Sequence, residues 1–113
     1  MNNKEIGYFG ESIAAQYLEK MGCEILDRNF CCRMGEIDIV AKEKDIIVFV
    51  EVKTRQSDSL GLPREAIDKE KIKHMRRAAS VYMLANHLQD MEVRFDVMEV
   101  YCNRILRDRK SVV

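Results

Sequence analysis

Apolar residues recur along the chain at two spacings. Over residues 3–21, Ile6, Ile13, Ala14, Tyr17, Leu18 and Met21 return every three or four positions, which gathers them on one side of a helix. Asn2 or Asn3 would cap its start, and Gly22 would end it in a left-handed conformation. Gly7 and Gly10 suggest the close approach of another backbone. Residues 23–30 (CEILDRNF) read as a first strand, with 31–34 a short turn or a bulged continuation. From Gly35 the period becomes two. Ile37, Ile39 and Ala41 point to one face, and Glu36, Asp38 and Val40 to the other. A polar turn at 42–45 leads into a third strand over 46–53, rich in β-branched residues, with Ile47, Phe49, Glu51 and Lys53 on one face. Residues 57–62 (SDSLGL) form a loop, and Pro63 suits the first turn of a helix that runs to about residue 87. Its buried stripe would be Ile67, Ile72, Met75, Ala79, Tyr82 and Met83. A fourth strand follows over 91–102, and 103–113 would be an edge strand or a basic tail.

The order α-β-β-β-α-β predicts an α/β fold, a mixed central sheet flanked by helices. Residues 1–113 suffice for one domain, and a composition 47% hydrophobic and 34% charged suits a folded core. No apolar run is long enough to span a bilayer and no secretory signal is visible, so a cytoplasmic location is expected and no membrane partner. Cys23, Cys31, Cys32 and Cys102 form no C-x-x-C pair, and His74 and His87 do not complete a zinc pattern.

Charge narrows the function classes. The 19 basic and 19 acidic residues cancel, which argues against holding nucleic acid by bulk charge. Local excesses remain: Lys71, Lys73, Arg76 and Arg77 lie in the first half of the second helix, and a basic segment closes the chain. Such runs are ordinarily solvated faces.

The second and third strands hold the candidate chemistry. A four-residue loop over 43–46 would pair Lys42 with Ile47, Val40 with Phe49 and Asp38 with Glu51, bringing two carboxylates face to face inside apolar strands. Lys53 follows two residues on, and like charges so close need a proton or a cation between them. Mg²⁺, with Mn²⁺ as a substitute, would be held by Asp38, Glu51 and the backbone carbonyl of Val52, and would serve phosphodiester hydrolysis. Lys53 would orient or deprotonate the water, or neutralise the phosphate. Glu11 borders the apolar stripe of the first helix; it is either a border residue or an acid aimed at this site. The plain reading of Glu51 and Lys53 is a surface ion pair.

The pattern D-x₁₂-E-x-K preceded by a helical glutamate resembles the restriction-endonuclease-like PD-(D/E)XK nuclease superfamily. More closely, the chain resembles the YraN-like uncharacterised family of small bacterial proteins, related in fold to archaeal Holliday-junction resolvases. The matching segments are G-x-x-G-E at 7–11, ILDRNF at 25–30, GEIDIVA at 35–41, VFVEVKTR at 48–55, G-x-P-x-E-A at 61–66 and RFDV at 94–97. The resemblance implies Asp38 and Glu51 as metal ligands, Lys53 as the catalytic lysine, Glu11 as the helical acid and Lys71 as a further basic group near the site. Ile37 stands where the superfamily has its signature proline, and Cys31 where many relatives carry a basic residue.

Three functions are then in play. The first is a Mg²⁺-dependent endonuclease acting on DNA, on branched or damaged structures, for which the resemblance implies a homodimer that sets two sites against two strands. The second is a non-catalytic module that grips nucleic acid through Arg55, Lys71, Lys73, Arg76 and Arg77. The third is an interaction protein whose carboxylates merely pair with Lys53.

Overall fold

A computed structural model describes residues 2–56, 69–102 and 110–112. Its elements are α1 (Asn3–Lys20), β1 (Glu24–Cys32), β2 (Gly35–Glu43), β3 (Ile46–Gln56), α2 (Lys69–Ala85), β4 (Glu92–Cys102) and β5 (Lys110–Val112). The expected α-β-β-β-α-β order holds, and the C-terminal segment returns as a short edge strand. The loop at 57–62, Pro63, the 61–66 motif and Ile67 lie outside the described residues, as does most of the basic segment at 104–110.

The strands form one sheet in sequence order, β1-β2-β3-β4-β5. β3 and β4 are parallel and the other neighbours antiparallel, so the sheet is mixed. A parallel neighbour requires a crossover, and α2 lies within it. The helices take opposite faces. Ala14, Ala15 and Leu18 of α1 pack on Ile39, Ala41, Val48, Val50, Met98 and Val100. On the other face, Ala78, Ala79, Tyr82 and Met83 of α2 pack on Ile37, Val40, Ile47 and Phe49. Tyr82 meets Phe30 and Phe49 edge-on, with ring centroids 5.1 and 5.9 Å apart.

The helix ends follow local chemistry. The Asn2 side chain accepts from Glu5 N at 2.8 Å, and Gly22 turns the chain at φ +94° after α1. Gly10 is buried beneath Thr54 of β3, where a Cβ would collide with the threonine hydroxyl; Gly7 meets nothing. The close approach read from the two glycines therefore belongs to Gly10 and is made by a side chain.

Several expected positions differ. Tyr17 and Met21 are exposed, and Ala15 joins the stripe of α1 instead. Ile72 is exposed, while Ala78 is buried. On β4, Val93, Phe95 and Val97 remain largely exposed; the inward residues are Met98 and Val100, packed on the α1 side. The turn between β2 and β3 is only Lys44 and Asp45, because Glu43 still pairs with Ile46. Ile37 does not share a face with Ile39 and Ala41: it packs beneath α2, and they pack beneath α1. The strand changes face at Asp38. Across from it, Asn29 of β1 takes φ +55° between Arg28, paired with Ile39, and Phe30, paired with Ile37, while the register of the two strands shifts earlier, between Ile25 and Asp27.

Candidate active site

The face change at Asp38 builds the site. β2 pairs with β3 from Glu43↔Ile46 to Ile39↔Val50, in the expected register, and there the ladder ends. The next pair would be Asp38 with Glu51, and it does not form. Asp38 instead turns its carboxylate into the gap, where Oδ2 accepts a hydrogen bond from Val52 N at 2.7 Å. A side chain thus takes the place of the backbone partner that β3 would otherwise lack. The two strands fork, and the polar groups gather in the fork. Amide and carbonyl of one strand residue project to the same edge, so the Val52 carbonyl faces β2 as well.

Glu51, Lys71 and Glu11 reach this region, and Lys53 follows Glu51 two residues along β3. Glu51 is 4% exposed, on the β3 face that carries Phe49 and Ile47 toward α2. Lys71, in the first turn of α2, places Nζ 2.9 Å from Glu51 Oε1. Glu11 comes from α1, on the other side of the sheet; its Oε1 is buried with no hydrogen-bond partner among the described residues. Lys53 is half-buried on β3, and no described residue pairs with it.

Asp38, Glu11 and Lys71 share one electrostatic environment. Burial pushes the Asp38 carboxyl up to about 6; the Val52 amide and Lys71 oppose this, and the charges of Glu51 and Glu11 add to it. Burial also raises Glu11, with Asn29 and Arg28 acting against it and Glu51 and Glu36 reinforcing it. The hydrogen bond to Glu51 raises Lys71, against some desolvation. Three carboxylates therefore feel one another here, and one ammonium partly compensates them.

The resemblance implies Lys71 as a basic group near the site, but two details of the arrangement are not given by the sequence. The lysine that meets Glu51 comes from α2 and not from β3. Lys71 lies one turn before Met75 on the buried stripe that continues through Ala78 and Tyr82, so a polar residue extending an apolar stripe was the available sign. Arg28 is the second. It bonds Ser12 Oγ at 3.1 Å and lies 4.9 Å over the Tyr8 ring, which ties β1 to α1 beside Glu11.

The expected grip residues separate into two groups. Arg55 is held by Glu99, Nε to Oε2 at 3.2 Å, with its side chain only 19% exposed. Lys71 belongs to the carboxylate cluster. Lys73, Arg76 and Arg77 are exposed on α2. Among the described residues, no group of three or more His, Cys, Asp and Glu side chains stands close enough to hold a metal ion together. No helix among them is long and apolar enough to cross a membrane.

Fold and site together describe an α/β protein of α-β-β-β-α-β order, with a carboxylate cluster where two antiparallel strands fork. The sequence profile of the uncharacterised protein family UPF0102 matches residues 10–100, from α1 into β4 and across every member of the cluster. A UPF0102 protein of Caldicellulosiruptor saccharolyticus is 50% identical over 103 residues, covering 91% of this chain and 87% of its own. One of Caldanaerobacter subterraneus subsp. tengcongensis is 50% identical over 103 residues, covering 91% and 84%. One of Syntrophomonas wolfei subsp. wolfei is 44% identical over 111 residues, covering 98% and 93%. The chain belongs to the UPF0102 family.

Proposed function

We propose that this protein is a Mg²⁺-dependent nuclease of the PD-(D/E)XK type that hydrolyses phosphodiester bonds in DNA, with branched or damaged DNA as its substrate class. The observation that carries this reading is the fork itself. Asp38 leaves the ladder to bond Val52 N, and its carboxylate lies within the electrostatic reach of Glu51 and Glu11. A sheet built for stability alone would have no reason to gather like charges there.

The donor set suits the ion. Mg²⁺ prefers oxygen ligands and is bound by one or two carboxylates while keeping several waters. Asp38 Oδ1 carries no hydrogen bond among the described residues, Glu51 is fixed by burial, and the Val52 carbonyl faces the same edge. These three would hold the ion, and Glu11, with an unpartnered buried oxygen, would reach it through water. A bound Mg²⁺ supplies positive charge for the phosphoryl oxygens and acidifies a water. Lys53 would orient a water or neutralise the scissile phosphate, and the exposed Lys73, Arg76 and Arg77 would meet the flanking phosphates.

The test is purified protein with Mg²⁺ or Mn²⁺ on junction, flap, nicked and linear DNA. Cleavage by the wild type that is lost in Asp38→Asn and Lys53→Ala is the expected result. No cleavage of any substrate, or equal cleavage by the variants, overturns the enzyme reading. The second reading is a binding module on the same fold, favoured by the exposed basic face of α2. Salt-sensitive DNA affinity without metal-dependent cleavage would select it.

A further inference from the structure

Glu51 and Lys71 form an unequal pair. The Glu51 side chain is 5% exposed and cannot leave the fork, whereas the Lys71 side chain is 47% exposed and can swing into water. A carboxylate so buried needs a positive partner. Lys53 lies nearby on the same strand, yet the partner that closes on Glu51 is Lys71, from a different element. The gain from Lys71 lies in the carboxylate it meets.

We propose that Lys71 is the resident counter-ion of Glu51, holding the carboxylate in the metal-free protein and yielding it to a divalent cation. This rests on the reading of Asp38 and Glu51 as metal ligands. An ammonium 2.9 Å from Oε1 occupies the place where a cation would bind that oxygen, and two positive charges at one oxygen repel. Lys71 and the metal are then competitors for Glu51. Linkage requires that removing the lysine tightens cation binding and weakens the metal-free fold.

Lys71→Met keeps the aliphatic stem and removes the charge. In EDTA this variant should melt below the wild type, since Glu51 is left buried and unpaired. Saturating MnCl₂ should raise its melting temperature by more than that of the wild type, and calorimetry should show Mn²⁺ binding roughly 5-fold tighter or more. A second measurement needs no variant. Amine labelling of Lys71 in the wild-type protein, read by mass spectrometry, should rise several-fold when MnCl₂ is added. Equal or weaker Mn²⁺ binding by Lys71→Met, or Lys71 labelling unchanged at saturating Mn²⁺, overturns the counter-ion proposal and leaves the metal site standing. No Mn²⁺ binding by either protein overturns the metal site, and the proposal with it.

Discussion

The Asp38 carboxylate accepts a hydrogen bond from the Val52 amide across 2.7 Å, at the point where β2 stops pairing with β3. One bond does two things. It satisfies a backbone donor that the fork would leave bare, and it fixes a carboxylate that feels the charges of two others. Asp38→Asn keeps an acceptor for Val52 N and removes the charge. Asp38→Ala removes both and should cost about 1–3 kcal/mol of unfolding free energy for the unpaired donor. Chemical denaturation at neutral pH should therefore rank Asn at or above wild type and Ala below it.

The pH dependence follows from the same residue. In the folded protein Asp38 titrates at about 6, above its ordinary value of 3.8. The folded state thus binds the proton more tightly than the unfolded state between these values. The stability Asp38 contributes is fully present below about pH 3.8 and is lost as pH rises through about 6. Denaturation curves collected from pH 4 to pH 7 should show a fall in the wild type that is shallower in Asp38→Asn. Parallel profiles would mean that Asp38 titrates as an ordinary surface carboxyl.

Two glycines three residues apart should respond oppositely to alanine. At Gly10 a Cβ runs into Thr54, so Gly10→Ala should lose about 1–3 kcal/mol through overpacking. Adding Thr54→Ala removes the colliding hydroxyl and should restore part of the loss. At Gly7 the Cβ meets nothing, and alanine should stabilise the helix by up to about 1 kcal/mol. Thermal melts of the three variants check both signs.

On the nuclease reading, the exposed face of α2 meets phosphate. Replacing Arg76 and Arg77 by alanine should weaken DNA binding across sequences and flatten its salt dependence by about 0.9 per lost contact. Fluorescence anisotropy at several salt concentrations measures the slope. An unchanged slope would remove these two residues from the interface. The Arg55–Glu99 pair gives a contrast: Arg55→Ala removes a part-buried ion pair and should act first on stability.

Much of this arrangement is written in local periodicity. The two-residue alternation of β2 and β3 sets the register from Lys42↔Ile47 to Val40↔Phe49, and Asn2 and Gly22 mark the ends of α1. Periodicity could not reveal the break at Asp38. An alternating pattern assumes that the ladder continues, and here a side chain competes with the backbone for Val52 N and turns Ile37 to the opposite face from Ile39. The helical stripes were overextended at Tyr17, Met21 and Ile72, because apolar spacing does not tell how far the sheet beneath a helix extends. For Lys71 the resemblance implies a place near the site but not its partner. Its contact with Glu51 depends on where the crossover sets α2 down, and no local pattern encodes that.

On the nuclease reading, Asp38 and Glu51 hold a divalent cation. Calorimetric titration of Mn²⁺ into wild-type protein and Asp38→Asn at pH 7.5 (above the folded-state titration of Asp38 near 6) tests it most directly. Saturable binding to the wild type and its loss in the variant, with both proteins folded, is the expected result. No binding to the wild type, or equal binding to both, would contradict it.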